Sequence, residues 1–342
     1  MSVSRPPRRT AFLVGINYIN TKSELNGCYN DVVNVSQYLR STLGYASESI
    51  SILTDGNRNN PTSASQLPPT RQNILAGLSA LVSGMVAGDE AVFHYSGHGS
   101  LVRDTNGDEA TGFDSCLCPV DYATPPSAGG GMITDDEIRA VLVNKVPRGA
   151  RLYVILDCCH NGTGCDIRYK YEDFSILYRK HPIPIWRTLQ KIFVNSKYTE
   201  TVGEVYMISG CRDEQTSADA YINNAFAGAL TYAVFSILRA NQATIRKYSW
   251  SALLRDVRQF MRENKYTQIP QLMTGQIIYP TRPVFSVVTG RGASLDLTTG
   301  SRSTSEYVSA GSRSVSTTDT MFSFVPKGSK SKSPRHLIQF IH

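Results

Sequence analysis

The chain has 342 residues, and its 35 Lys and Arg exceed its 28 Asp and Glu to give a formal net charge of +7. The excess lies at the two ends of the chain. When three arginines in residues 1–9 and six cations and two anions in residues 300–342 are set aside, the remainder carries 26 charges of each sign. Nucleic-acid-binding domains usually show a basic stripe on a folded face, so the neutral body predicts no nucleic-acid partner.

The composition also excludes other classes of protein. No apolar run reaches the roughly 18–20 residues of a membrane span, and the apolar stretch over residues 11–16 is too short for a secretory signal. Seven cysteines, an odd number, are typical of free thiols in a reducing compartment. We therefore expect a cytoplasmic protein without a membrane span.

Apolar runs alternate with amphipathic stretches along most of the chain. In chain order they predict a strand over 10–16, a helix over 31–42, a strand over 49–54, a helix over 71–86, strands over 90–95 and 116–120, a helix from the cap Thr134 to about 145, strands over 151–156 and 205–209, helices over 225–238 and 251–263, and a last strand over 284–289. Residues 161–200 show little regularity apart from a weak helical pattern over 186–193. This alternation indicates a mostly parallel sheet with helices on both faces.

Two of the predicted strands end in reactive side chains. His98 follows the strand over 90–95, and Cys159 follows the strand over 151–156. Ligands of open α/β sheets bind beyond the carboxyl ends of the strands, and a nearby imidazole can help a cysteine to form its thiolate. The pattern therefore indicates a cysteine nucleophile with a histidine base. Buried strand cysteines without chemistry are the alternative, which is disfavoured because each strand end carries one member of the pair.

Five segments in order resemble the metacaspases, a family of caspase-like cysteine peptidases. They are YSGHG at 95–99, DCCH at 157–160, NGCYNDV at 26–32, SGCRDEQTSAD at 209–219 and PQL at 270–272. The likeness spans about residues 10–290 and is greatest to trypanosomatid-type members with a type I-like architecture and no long prodomain. It implies a caspase-like three-layer α/β sandwich, with a peptidase domain over 10–299 whose large subdomain covers about 10–180 and whose small subdomain covers about 200–290. A basic tail over 1–9 and a Ser-rich, low-complexity tail over 300–342 flank it.

The resemblance also assigns catalytic and binding roles. It implies that Cys159 is the nucleophile and His98 the base, and that the N–H groups of Gly99 and Cys159 form the oxyanion hole. The residues that match the family's pocket for P1, the residue before the scissile bond, are Cys28, Asp31, Ser96 and Asp157. The family cleaves proteins after Arg or Lys and acts as a monomer. Two carboxylates and a hydroxyl suit such a cationic side chain, whereas the alternative for Asp31 is a charge at a helix N-terminus.

Strand geometry adds an expectation about this pocket. Successive residues of a strand point to opposite faces, so Asp157 and Cys159 are expected to share a face.

Arg179 and Lys180 are a candidate site for self-cleavage, because family members often process themselves after basic residues.

Acidic residues predict a metal site. The resemblance matches Asp114, Asp135, Asp136 and Asp166 to the family's calcium ligands, and it implies Ca²⁺ as the cofactor. Carboxylates from separate loops, completed by water, suit a cation that takes 6–8 oxygens. The alternative is a set of solvated acids, because Asp135 and Asp136 also begin a predicted helix. The acidic run over 104–109 does not fit an EF-hand, and no cysteine spacing fits a structural zinc site.

Two rival functions remain open at this point. Asn161 stands where the family usually has serine, which leaves room for a catalytically weak or silent homologue that acts through protein–protein contacts. A different Cys–His hydrolase on a similar sheet is the second rival, and the pairing of Asp31 with Asp157 argues against it.

Overall fold

A sheet of eight strands forms the centre of the fold. The computed structural model describes residues 5–107, 109, 112–158, 165–172, 191–210, 219–222, 225–245, 247–278 and 282–285. Its strands are β1 (Arg9–Gly15), β2 (Ile50–Thr54), β3 (Glu90–Ser96), β4 (Gly99–Arg103), β5 (Phe113–Leu117), β6 (Ile133–Thr134), β7 (Arg151–Asp157), β8 (Tyr169–Glu172), β9 (Lys191–Val194), β10 (Glu204–Ser209), β11 (Asp219–Ile222), β12 (Ala225–Gly228) and β13 (Gln271–Thr274).

The central sheet is parallel on one side and antiparallel on the other. Its strand order is β2-β1-β3-β7-β10-β13-β8-β9. The first five strands run parallel, whereas β13, β8 and β9 pair antiparallel to their neighbours. Strands β4, β5 and β6 form a small separate sheet, and β11 and β12 form a hairpin. All seven residues of β3 are buried, as expected for a central strand covered on both faces.

Helices cover both faces of the sheet. They are α1 (Cys28–Ser41), α2 (Arg71–Val82), α3 (Asp135–Val141), α4 (Ala229–Ala240) and α5 (Trp250–Glu263). Apolar residues of α1, α4 and α5 pack in one core cluster, and those of α2 and α3 pack in another on the opposite face. The predicted three-layer α/β architecture is therefore confirmed. None of the helices in the described ranges is long and apolar enough to cross a bilayer.

Local signals predicted several elements closely. The helix capped by Thr134 has the full capping box, in which the Thr134 hydroxyl accepts the N–H of Glu137 and the Glu137 carboxylate accepts the N–H of Thr134. That helix ends at Val141 and continues as a short 3₁₀ turn over Val143–Lys145. The helix predicted over 71–86 ends at Val82.

Other predicted elements were wrong, because pairing with distant residues decides them. Residues 225–228 form β12 in a hairpin, so the helix predicted over 225–238 begins only at Ala229. Residues 191–194 form β9 against β8, where the weak pattern over 186–193 predicts a helix. The short strand predicted over 116–120 lies earlier, over Phe113–Leu117. Of the last strand predicted, over 284–289, Val284 and Phe285 are buried in a bend, and residues 286–289 lie outside the described residues. The tail over 300–342 lies outside the described residues.

Candidate active site

The two reactive strand ends lie side by side. Strands β3 and β7 are adjacent and parallel, and Ser96 is directly opposite Asp157 in their register. The N–H of Gly97 donates to the carbonyl of Asp157 over 3.4 Å. His98 therefore leaves one strand at the level where the chain leading to Cys159 leaves its neighbour. Cys159 itself, with Asn161 and Arg179–Lys180, lies outside the described residues.

The strand that leads toward Cys159 ends two residues before it. Strand β7 ends at Asp157, and Cys158 follows in a bend with a fully buried side chain. The two-residue alternation of a strand thus stops before Cys158. The shared face of Asp157 and Cys159 stays a prediction, since Cys159 lies outside the described residues.

The imidazole of His98 is held by a main-chain carbonyl and by an aromatic ring. Its Nε2 lies 2.7 Å from the carbonyl oxygen of Ser23. Since a carbonyl only accepts hydrogen bonds, Nε2 carries a hydrogen, and in the neutral ring Nδ1 keeps the lone pair. The imidazole also packs against the ring of Tyr18, with centroids 4.7 Å apart. This arrangement leaves Nδ1 as the basic atom of the ring.

The hydroxyl of Tyr18 fixes the main chain beneath His98. It accepts the N–H of His98 over 2.9 Å and donates to the carbonyl of Cys118 over 2.6 Å. The neighbouring hydroxyl of Tyr95 donates to the carbonyl of His98 over 2.9 Å. A Cβ atom at Gly97 would lie 2.8 Å from the Tyr95 hydroxyl and 3.0 Å from that of Tyr18. Glycine before His98 thus lets both tyrosines approach the backbone.

The loop that carries Tyr18 and Ser23 is itself tied to the sheet. The carboxylate of Asp55, just after β2, accepts the N–H groups of Asn17 (2.7 Å) and Ile19 (3.2 Å). The Asn17 side chain accepts the N–H of Cys28 over 3.0 Å and donates to the carbonyl of Gly56 over 2.9 Å. Asn17 therefore satisfies a donor at the start of α1, a helix whose N-cap, a glycine, provides no side-chain hydrogen bond.

Two buried carboxylates face each other beside His98. Asp31 and Asp157 are 1% and 3% exposed. The Ser96 hydroxyl donates to Asp31 Oδ2 over 2.6 Å, and the N–H of Gly228 donates to Oδ2 (2.9 Å) and Oδ1 (3.1 Å) of the same carboxylate. Asp157 Oδ2 accepts the N–H of Thr231 over 2.7 Å. The structure thus brings together the carboxylates and hydroxyl of the predicted pocket.

The other predicted residues of the site occupy neighbouring positions. Cys28 is buried at the first position of α1, one helical turn before Asp31. Gly99 begins β4 directly after His98, and both residues are half-buried. Gly228 belongs to the same pocket, but the sequence pattern missed it, because residues 225–238 read as one continuous helix. The glycine in that apolar run is the signal that the run is broken.

A second acidic cluster lies around the start of α3. One carboxylate oxygen each from Glu109, Asp135 and Asp166 lies within 4.8 Å of the others. Asp135 and Asp166 are each 1% exposed. Burial, together with the charges of Asp166 and Glu109, raises the pKa of Asp135 well above its usual value. Carboxylates this close and this buried suit a cation, since oxygens about 2.4 Å from Ca²⁺ lie up to about 4.8 Å apart.

Asp166, in this cluster, has an unusual backbone conformation. Its φ of 50° is left-handed, a conformation that costs a residue with a side chain about 1–2 kcal/mol and that recurs at ligand sites. The guanidinium of Arg139 donates to the main-chain carbonyls of Asp166 and Thr199. The Tyr198 hydroxyl donates to Glu109 over 2.9 Å. These contacts fix the chain around the cluster.

The structure describes all four aspartates that the sequence predicts as calcium ligands. Asp135 and Asp166 are brought together, and Asp114 is buried close enough for its charge to raise the pKa of Asp135. The carboxylate of Asp136 accepts the side-chain amide of Asn106 over 2.6 Å. Glu109 joins the cluster although the sequence reasoning set its acidic run aside. The run lacks EF-hand spacing, so only the fold shows which of its acids turns inward.

Comparison with known proteins adds independent evidence. Residues 9–168 match the family model of the metacaspase, peptidase C14 domain. Metacaspase-1 of Schizosaccharomyces pombe is 34% identical over 298 residues, which cover 78% of this chain and 67% of that protein. Metacaspase-1A of Aspergillus oryzae is 36% identical over 297 residues, which cover 77% and 67%.

A solved structure supports the fold. Protein GSU0716 from Geobacter sulfurreducens has a TM-score of 0.55 and 23% identity, over 83% of this chain and 100% of that chain. The similarity at this level of identity concerns the fold, and the sequence relatives carry the family. The chain therefore belongs to the metacaspases and is a cysteine-type peptidase.

Proposed function

We propose that the protein is a calcium-activated endopeptidase that cleaves after Arg or Lys, with Cys159 as nucleophile and His98 as base. The observation that carries this proposal is the pair of buried carboxylates, Asp31 and Asp157, beside the strand end that bears His98. A cationic side chain placed between them can form charge-assisted hydrogen bonds with both. A substrate that places a cation between the two therefore gains affinity, whereas a neutral or acidic P1 residue does not.

The chemistry follows from the residues at the two strand ends. Nδ1 of His98 takes the proton of the Cys159 thiol, and the thiolate attacks the scissile carbonyl carbon. The N–H groups of Gly99 and Cys159 stabilise the resulting oxyanion. The imidazolium gives its proton to the leaving amine, and a thioester forms. Water, deprotonated by His98, then attacks the thioester carbon and breaks its bond to sulfur, the acid product leaves, and the Cys159 sulfur takes the proton back from the imidazolium.

Peptide cleavage tests the specificity and separates the rival functions. Fluorogenic peptides with Arg, Lys or Asp at P1 are assayed with and without calcium. Cleavage after Arg and Lys supports the proposal, and preference for Asp contradicts the role of the two carboxylates. A protein that cleaves none of them under any condition is a silent homologue, as Asn161 leaves open.

The residues that would hold calcium are Asp135, Asp166 and Glu109, with Asp114 close by. Their oxygen-only donor set and burial fit this hard cation. Bound calcium would offset the repulsion among the carboxylates and so hold α3 to the chain around Asp166.

Calcium is therefore expected to stabilise the 342-residue protein. At about 100 times Kd, the gain of about 2.7 kcal/mol corresponds to a rise in Tm of about 5 °C. Asp135→Asn is expected to remove this rise and the stimulation of cleavage. Without calcium the variant should be at least as stable as the parent, because the ionised carboxylate of Asp135 is disfavoured in the empty cluster. Thermal denaturation with and without calcium measures both effects.

The control for this experiment is Glu48→Gln, which removes the same charge from an exposed 3₁₀ turn. It should respond to calcium as the parent does. A full thermal response in Asp135→Asn would contradict the assignment of the site, and calcium indifference of the parent would contradict the cofactor.

Tyr18→Phe is expected to lower kcat by about 10-fold and to leave KM nearly unchanged. The substitution keeps the ring against the imidazole but removes the hydroxyl that accepts the N–H of His98. The same hydroxyl also donates to the carbonyl of Cys118, and the part of the loss that comes from the bond to His98, about 1–1.5 kcal/mol, falls on the position of the base. Steady-state kinetics on a P1-Arg peptide measure the change.

The matched control is Tyr38→Phe. The Tyr38 hydroxyl is buried and has no hydrogen-bond partner among the described residues, so its loss should leave kcat unchanged and should not lower Tm. If the two variants behave alike, the Tyr18 hydroxyl does not position His98.

We expect a monomer, because the sheet ends beyond β13 in the chain's own β8 and β9, and the edge strand β9 has only four residues. The cysteines in the described part are in the thiol form, which supports a reducing, cytoplasmic location. Self-cleavage at Arg179 or Lys180 remains a proposal from the sequence.

A further inference from the structure

Helix α4 begins without a cap of its own. Its N-cap residue is Gly228, which has no side chain to accept the first N–H groups of the helix. Two carboxylates from other elements accept them instead. Asp31, from α1, accepts the N–H of Gly228, and Asp157, from the end of β7, accepts the N–H of Thr231. The first turn of α4 therefore holds both carboxylates of the proposed P1 pocket.

The absence of a side chain at residue 228 is required by these carboxylates. The backbone of Gly228 has φ −65° and ψ 132°, a conformation open to every residue. A Cβ atom built there would lie 2.3 Å from Asp157 Oδ2 and 2.7 Å from Asp31 Oδ2. The two oxygens are thus no farther apart than about 5.0 Å, the sum of these distances. Only glycine leaves both in place.

Capping alone does not explain this arrangement. One acceptor at a helix N-terminus is common, but two buried carboxylates within 5.0 Å of each other repel. The partial positive charge of the helix N-terminus and the donated N–H groups reduce that repulsion. The first turn of α4 thus holds two carboxylate oxygens close together, an arrangement that suits a cation that contacts both.

A buried contact fixes the helix start. Nε2 of His94 lies 3.0 Å from the hydroxyl of Thr231, and both side chains are almost fully buried. Burial lowers the pKa of His94 to about 3, so the ring is neutral and adds no charge to the pocket. His94 lies on β3 two residues before Ser96, and it therefore ties α4 to the strand that carries the pocket hydroxyl.

We propose that the first turn of α4, through Gly228 and Thr231, determines the preference for arginine over lysine at P1. This inference rests on the proposed function of Asp31 and Asp157. A guanidinium presents several N–H groups in a fixed plane and can bond both carboxylates at once. A lysine ammonium is a compact charge that depends less on their relative orientation. Holding the two oxygens at a fixed separation thus favours arginine.

The test is the substitution Gly228→Ala in the full chain. The added methyl displaces both carboxylates, so kcat/KM for a P1-Arg peptide should fall about 10- to 100-fold, as for the loss of one or two charge-assisted hydrogen bonds. The fall should be smaller for the matched P1-Lys peptide, and the Arg/Lys ratio should drop about 3- to 10-fold.

The control is Gly203→Ala, a second glycine where a Cβ would clash, at 2.4 Å from Val146 and 2.7 Å from the carbonyl of Pro147, away from the pocket. It should lower Tm without changing the Arg/Lys ratio. If Gly228→Ala does not fold, Thr231→Val serves instead. It keeps the N–H donated to Asp157 but loses the hydroxyl contact with His94, and it should shift the ratio in the same direction by a smaller factor.

The outcomes separate this inference from the function on which it rests. If the parent protein shows no preference for cationic P1 residues, the proposed function fails, whatever the variants do. If the parent prefers Arg and Lys but folded Gly228→Ala or Thr231→Val keeps the parental Arg/Lys ratio, the function stands and the role of α4 is overturned.

Discussion

Alanine at either His98 or Cys159 is expected to abolish peptide cleavage, with kcat lower by about 10⁴-fold or more. Each change removes one half of a unit in which the base makes the thiolate and the thiolate attacks. Because the two residues act together, the double variant should be no slower than either single variant. Single-turnover and steady-state assays on a P1-Arg peptide measure the three rates.

The adjacent cysteine provides the control for this prediction. Cys158→Ala alters a fully buried side chain next to the nucleophile, and it should keep most of the activity while lowering Tm. Loss of activity in Cys158→Ala with retention in Cys159→Ala would reverse the assignment. A slow but measurable His98→Ala enzyme, within 10-fold of the parent, would mean that another group is the base.

Asp31→Asn and Asp157→Asn are the second pair of variants with a large expected effect. Each keeps the shape of the side chain but removes one negative charge from the buried pocket. We expect kcat/KM for a P1-Arg peptide to fall about 10²- to 10³-fold, as for the loss of a charged hydrogen-bonding partner in a desolvated site. The hydrogen bonds from Gly228 and Thr231 can persist to the amide oxygen, so the fold should survive.

A peptide with citrulline at P1 makes this experiment specific. Citrulline has nearly the shape of arginine but no charge. The parent should strongly prefer arginine, and the two variants should lose most of that preference. The exposed variant Glu48→Gln should keep it. Equal losses with both peptides would mean that the carboxylates support the fold rather than recognise the substrate.

The sequence predicted the cysteine-peptidase class and the strands that lead to the site, because the signals for them are local. The strands ending near Ser96 and Asp157 are apolar runs whose register places these residues opposite each other. The capping box at Thr134 is likewise written in four consecutive residues. Where neighbouring residues decide the structure, periodicity and caps suffice to locate an element and the reactive group at its end.

Elements that depend on distant partners could not be predicted in this way. The run over 225–238 is apolar throughout, and only the pairing of β12 with β11 makes its first four residues extended. Strand β9 forms because β8 offers it a partner. The same holds for the site. Tyr18 reaches His98 across 80 positions of the chain, and no local pattern marks that contact.

The acidic cluster around the start of α3 likewise depends on contacts between distant residues. Family resemblance pointed to four aspartates, and the fold gathers Asp135 and Asp166 with Glu109. Glu109 lies in a run of acids that lacks the spacing of an EF-hand calcium loop. Which acid of such a run turns toward the interior depends on the path of the loop, and this path is set by contacts such as that between Glu109 and Tyr198.

The division of the core by the central sheet has a consequence for how selectivity can evolve. The main-chain N–H groups that hold Asp31 and Asp157 lie at the start of α4, which packs with α1, whereas Tyr18 and Tyr95, whose hydroxyls hold the main chain of His98, pack in the layer of α2 and α3. In the function proposed here, recognition of P1 and proton transfer thus depend on different layers, separated by the central sheet. Substitutions in the first layer can exchange one substrate preference for another while the machinery of bond cleavage is inherited unchanged.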